Sequence, residues 1–99
     1  MLLLGGHSEA KLATPQMQET ADQVRSDLEA KVGRGLFEEY QLMAFRQQVV
    51  AGMVYTFKIR ISNSECVHTK VFQALPHEQK GLEVQKYVIC SLDDPLDLL

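Results

Sequence analysis

Over its 99 residues the chain has no tryptophan, three prolines and two cysteines. Two thiols are too few for the dense disulfide framework on which small secreted domains rely. No apolar run reaches the roughly 18 residues that cross a bilayer. The opening Met1-Leu2-Leu3-Leu4 falls short of a signal peptide's apolar region of about 7–15 residues and lacks its basic flank. These absences lead us to expect a cytoplasmic chain without a membrane partner. Positive charge is not in excess either: ten Lys and Arg stand against thirteen Asp and Glu, for a net charge of −3. That balance argues against a nucleic-acid partner, which requires a clustered Lys/Arg face. What is present is a composition 45% hydrophobic and 23% charged. That suffices for one core in a single domain over 1–99, with no metal, cofactor or disulfide staple.

Residues 1–13 show no sustained period and read as an extended arm. Thr14-Pro15 is a helix start, with Thr14 as N-cap and Pro15 where its missing N–H costs nothing. Met17, Ala21, Val24, Leu28 and Val32 then form one apolar stripe, which predicts a single helix of about five turns. Gly33 and Gly35 end it. Beyond Gly35 the period falls from 3.6 to 2. Met53, Tyr55, Phe57, Ile59 and Ile61 alternate with Val54, Thr56, Lys58, Arg60 and Ser62, predicting a half-buried strand over Met53–Ser62. Phe37–Gln48, Glu65–Ala74 and Leu82–Ser91 are strand-like by their β-branched and aromatic content. Breaks at Ala51-Gly52, Asn63-Ser64 and Leu75–Gly81 join the four as consecutive hairpins. The expected fold is α+β: an antiparallel β-sheet meander wrapped around one long N-terminal α-helix. Residues 92–99 form a C-terminal tail.

No catalytic constellation emerges. Cys66 and His68 are close in sequence, but both fall on a strand that runs away from the helix; a thiol nucleophile prefers a helix N-terminus. His7, His68 and His77 lie in separate segments, and Cys66-Val67-His68 lacks the spaced second pair of a zinc site. Pairing Ala74 with Leu82 in the last hairpin would set Cys66 opposite Cys90, where oxidation could join them. The unusual feature is apolar residues in turns. Gln48-Val49-Val50-Ala51-Gly52 puts aliphatic side chains at a hairpin tip, where Asn, Asp, Ser or Gly is normal. Leu75-Pro76-His77 does the same at the third hairpin. Because strands alternate direction, both connections fall at one end of the sheet, within reach of the arm Leu2–Gly6. The three segments make an apolar wedge suited to binding.

These residues carry a resemblance. Gln48-Val49-Val50-Ala51-Gly52 is similar to the first-hairpin motif of the cystatins. Gly5-Gly6-His7-Ser8-Glu9-Ala10-Lys11, Ala13-Thr14-Pro15, His68, Lys70-Val71-Phe72 and Leu75-Pro76-His77-Glu78 resemble a stefin, or type 1 cystatin. The resemblance runs over about residues 4–90. It implies a cystatin-like fold and no enzyme activity. It also implies tight, reversible, competitive inhibition of papain-like cysteine proteases, such as papain and the lysosomal cathepsins. Leu3, Leu4 and Gly5 of the arm would take the non-primed subsites, with Gly5 or its neighbour Gly6 as hinge. Gln48, Val49, Val50, Ala51 and Gly52 would enter the cleft, and Leu75, Pro76 and His77 would contact the primed side. A monomer is expected. The alternative is a non-inhibitory stefin-fold interaction module or scaffold, including a domain-swapped dimer. The tail departs from the family pattern, since stefin tails are polar and Leu92–Leu99 is leucine-rich and broken by Pro95.

Overall fold

The computed structural model describes residues 10–78 and 81–96. Thr14 caps the first helix as expected. Its backbone is extended and its Oγ1 accepts from the Met17 N–H at 3.1 Å, with Pro15 opening α1 (Pro15–Asp22). The expected single long helix is instead broken in two. The N–H groups of Gln23 and Val24 return three residues, to the carbonyls of Thr20 and Ala21 at 3.2 and 3.1 Å. The chain then restarts as α2 (Arg25–Val32). Across this overwound turn Ala21, Val24 and Leu28 all stay buried. Met17 and Val32 pack partly buried at its ends. Gly33 ends α2 in the left-handed conformation (φ 75°) and donates to the Glu29 carbonyl at 3.0 Å.

Five antiparallel strands follow one another in space as in sequence: β1 (Lys11–Leu12), β2 (Gln41–Val50), β3 (Gly52–Arg60), β4 (Glu65–Gln73) and β5 (Leu82–Ser91). Lys11–Leu12 thus adds a fifth, edge strand to the four expected, with Lys11 opposite Phe45. β2 begins four residues later than the sequence suggests. At Phe37 the backbone is bonded by side chains of α2 instead of a neighbouring strand. Its N–H donates to the Glu29 carboxylate at 2.8 Å, and its carbonyl accepts from Arg25 at 3.1 Å. The Phe37 amide, with Arg25 reinforcing it, holds the Glu29 carboxyl below the usual carboxylate range against the opposing effect of burial.

Tyr55, Phe57, Ile59, Val67 and Val71 face the helices and form the core with Ala21, Val24 and Leu28. The alternation of β3 is real, but the strand is not half-buried. Val54 and Thr56, on its other face, are buried as well. The C-terminal residues cover them: Arg46 Nε donates to the Leu96 carbonyl at 3.1 Å, Lys58 Nζ donates to the Asp94 carbonyl at 2.9 Å, and Leu96 is itself buried. Between β4 and β5 the register shifts at Lys70/Val71, which leaves Gln85 as an extra residue. Gln73, not Ala74, thus faces Leu82, and the bulge restores the expected Cys66–Cys90 pairing further along. Both thiols are free. Among the described residues no helix is long and apolar enough to cross a membrane.

Candidate functional site

The first hairpin turns as tightly as an antiparallel pair allows. Val50 pairs with Gly52 and leaves Ala51 alone at the tip. Gly52 has φ 125°, a conformation that side-chain-bearing residues rarely adopt. A Cβ there would also run into the Gln73 carbonyl oxygen and would stand 3.0 Å from the Phe72 ring. The tip is thus pressed onto the end of β4, and only glycine permits it. Beneath it the Tyr55 hydroxyl donates to Gln73 Oε1 at 3.1 Å, and burial pushes the phenol above its ordinary range. Tyr55 reads from the sequence as core alone. Its second task, tying β3 to β4 under the tip, depends on a cross-strand neighbour that periodicity does not reveal.

Rigid beneath, the tip is apolar and open above: Val49 is 76% exposed and Val50 41%. Gln48 and Gly52 are less exposed and belong to the paired strands. The connection after β4 lies beside it. Leu75 is partly exposed, and Pro76 and His77 stand exposed in a 3₁₀ turn (Pro76–Glu78). Gly52, Met53, Leu75, Pro76 and Leu82 line one cleft, closed on the helix side by Gln23. The two connections are therefore brought to the same end of the sheet. Leu3, Leu4 and Gly5 lie outside the described residues.

A nucleophilic reading of Cys66 has no support here. Burial first, and then its Cys90 neighbour, push the Cys66 thiol up to about 12, the reverse of an activated thiolate. Among the described residues the soft metal-ligating side chains that come together are Cys66, His68 and Cys90, away from the hairpin tips.

Helices backed by an antiparallel meander, with apolar connections projecting from one end, define a cystatin-like α+β protein. A family model described as "Cystatin domain" matches residues 5–92. The chain is 43% identical to Stefin-C of Bos taurus over 85% of its length and 82% of that protein's. It is 37% identical to Leukocyte cysteine proteinase inhibitor 1 of Sus scrofa over 94% and 89%, and 41% identical to Cystatin-B of Homo sapiens over 87% of each. The chain belongs to the cystatin family and is of the stefin type. That membership sets it apart from enzymes.

Proposed function

We propose that this protein is a tight, reversible, competitive inhibitor of papain-like cysteine proteases, acting as a monomer in the cytoplasm. The observation that carries the reading is the first hairpin, whose apolar tip stands exposed while Gly52 seats it against Gln73 and Phe72. A tip already fixed by its strands loses little entropy on binding, which favours tight association. A relative named as a cysteine proteinase inhibitor supports the choice of target. In this reading Gln48 to Gly52 enter the active-site cleft. Leu75, Pro76 and His77 meet its primed side, and Leu3, Leu4 and Gly5 lie along the non-primed side. The wedge fills the cleft without offering a peptide bond in register for attack, so the enzyme has nothing to cleave.

The arm differs from the tips in its energetics. Burying Leu2, Leu3 and Leu4 contributes roughly 4.5–9 kcal/mol, while fixing about four residues costs roughly 4–8 kcal/mol. The arm then tunes affinity and selectivity, and the hairpins set the floor. Inhibition constants against papain and a panel of cathepsins test this, comparing the full chain with a version beginning at Gly6. We expect nanomolar or tighter inhibition of papain by the full chain, and enzyme-dependent losses for the truncation. Absence of inhibition at micromolar protein overturns the reading.

A further inference from the structure

We propose that Cys66, His68 and Cys90 form a zinc-binding site on the outer face of the sheet. The pairing of β4 with β5 places Cys66 directly opposite Cys90, and His68 follows Cys66 by two residues on the same face. The two sulfurs stand 3.9 Å apart. A disulfide needs about 2.05 Å. Two thiolates bound to one tetrahedral zinc at about 2.3 Å each are held about 3.8 Å apart, close to the separation found. The ligand atoms of all three residues lie within 4.8 Å of one another, and closing the imidazole to the about 3.5 Å that separates nitrogen and sulfur on one zinc completes three corners of the tetrahedron. Water takes the fourth.

The setting suits a soft cation. Cys66 and His68 are buried and Cys90 is half-buried, which leaves an approach from the β5 side. The Lys58 ammonium and the Asp94 carboxylate both act on the thiols, with opposite sign. On binding, each thiol gives its proton to solvent as its Zn–S bond forms, and neutral imidazole donates a nitrogen lone pair. Two thiolates then cancel the charge of Zn²⁺, and no oxidant is involved. The second cysteine arrives across strands, 24 residues further on, opposite Cys66 as the register of the last hairpin led us to expect. The cluster lies toward the Ile61–Glu65 turn, at the end of the sheet remote from Gly52. It does not rest on the inhibitory reading.

The test is titration of the fully reduced full-length protein with Co²⁺, followed by Zn²⁺ competition. We expect one equivalent of Co²⁺ to bind with thiolate-to-cobalt charge-transfer absorption, and one equivalent of Zn²⁺ to displace it. Cys90→Ser and His68→Gln should each weaken binding by at least the roughly 10–100-fold that loss of an outer partner alone costs. Far-UV circular dichroism confirms that each variant is folded. A second measurement needs no variant: Zn²⁺ should shield the half-buried Cys90 of the native chain from alkylation, and the pair from cross-linking by diamide. Lack of charge-transfer absorption overturns the proposal, as does undiminished binding by Cys90→Ser. Cross-linking of the two cysteines by diamide at the same rate with and without Zn²⁺ also overturns it, leaving a redox pair only.

Discussion

Two regions of this sheet invert the usual rule of burial. At the hairpin end, Val49 is 76% exposed, while on the outer face Thr56 and His68 are 1% and 4% exposed. The apolar residues stand in solvent and the polar ones are covered. Each inversion has its own cause. The tip cannot fold back, because a one-residue turn fixes Val49 and Val50 on paired strands and Gly52 locks the turn onto β4. Its apolar area is left for a partner to bury. The outer face is closed by the C-terminal residues, through Leu96 and the bonds from Arg46 and Lys58. The difference is a division of labour: one region withholds hydrophobic surface from folding, while the other recruits a tail to complete it. Substitutions should therefore separate stability from inhibition according to where they fall.

The largest effect is expected in the core beneath both regions. Phe57 is fully buried between the helices and the inner face of the sheet. Phe57→Ala should cost about 3–5 kcal/mol of unfolding free energy, read by urea denaturation. Inhibition per folded molecule should be unchanged, and a parallel loss of inhibition would break the proposed separation. Gly52→Val tests the opposite corner. Its Cβ would meet the Gln73 carbonyl in a backbone conformation already unfavourable to valine. Repositioning the tip should weaken papain inhibition by about 100-fold, equivalent to about 2.7 kcal/mol. Denaturation should show a smaller loss of stability than that of Phe57→Ala. Unchanged inhibition would mean that the tip is not what enters the cleft.

The inner face was legible in the sequence, and the outer face was not. Residues 55, 57 and 59 on β3 and 21, 24 and 28 on the helices follow periods that depend only on backbone geometry, and all are buried. The candidate tips were legible for the opposite reason, since valine in a turn contradicts turn chemistry. The helix break was not, because Val24 keeps its place on the stripe whether its N–H returns three residues or four. The bulge at Gln85 leaves an equally faint trace, since one extra residue near a hairpin looks like a longer loop. Covering of the outer face depends on where an aperiodic tail comes to rest, and periodicity carries no information about that. The Cys66–Cys90 pairing was legible from the register of the last hairpin, whereas the approach of His68 to both sulfurs depends on side-chain placement that register does not give.

Leu96→Ala sharpens the comparison on the covered side. Leu96 is buried although it belongs to no regular element, and its carbonyl is tied to Arg46. Its truncation should cost about 2 kcal/mol, at the lower end for a buried leucine because the tail can partly relax. Thermal unfolding reads that loss. Inhibition should be unaffected if the tail serves the sheet and not the protease. A fall in both would join the two regions and count against their separation.

The smallest effect expected has the opposite sign. Thr56 Oγ1 is buried and has no hydrogen-bond partner among the described residues. A buried hydroxyl without a partner forfeits its hydration and gains nothing in return, at a cost of about 1–3 kcal/mol. Valine has nearly the same shape, so Thr56→Val removes that cost without opening a cavity. Thr56 faces away from the helices, in a strand whose pairing with Arg46 and Lys70 does not depend on the side chain. The substitution should therefore raise unfolding free energy by about 1 kcal/mol, measured by urea denaturation, and leave papain inhibition constant. A loss of stability instead would mean that the hydroxyl is satisfied by water beneath the tail. The covered face would then be a polar joint between tail and sheet, and its contrast with the apolar tips would be sharper.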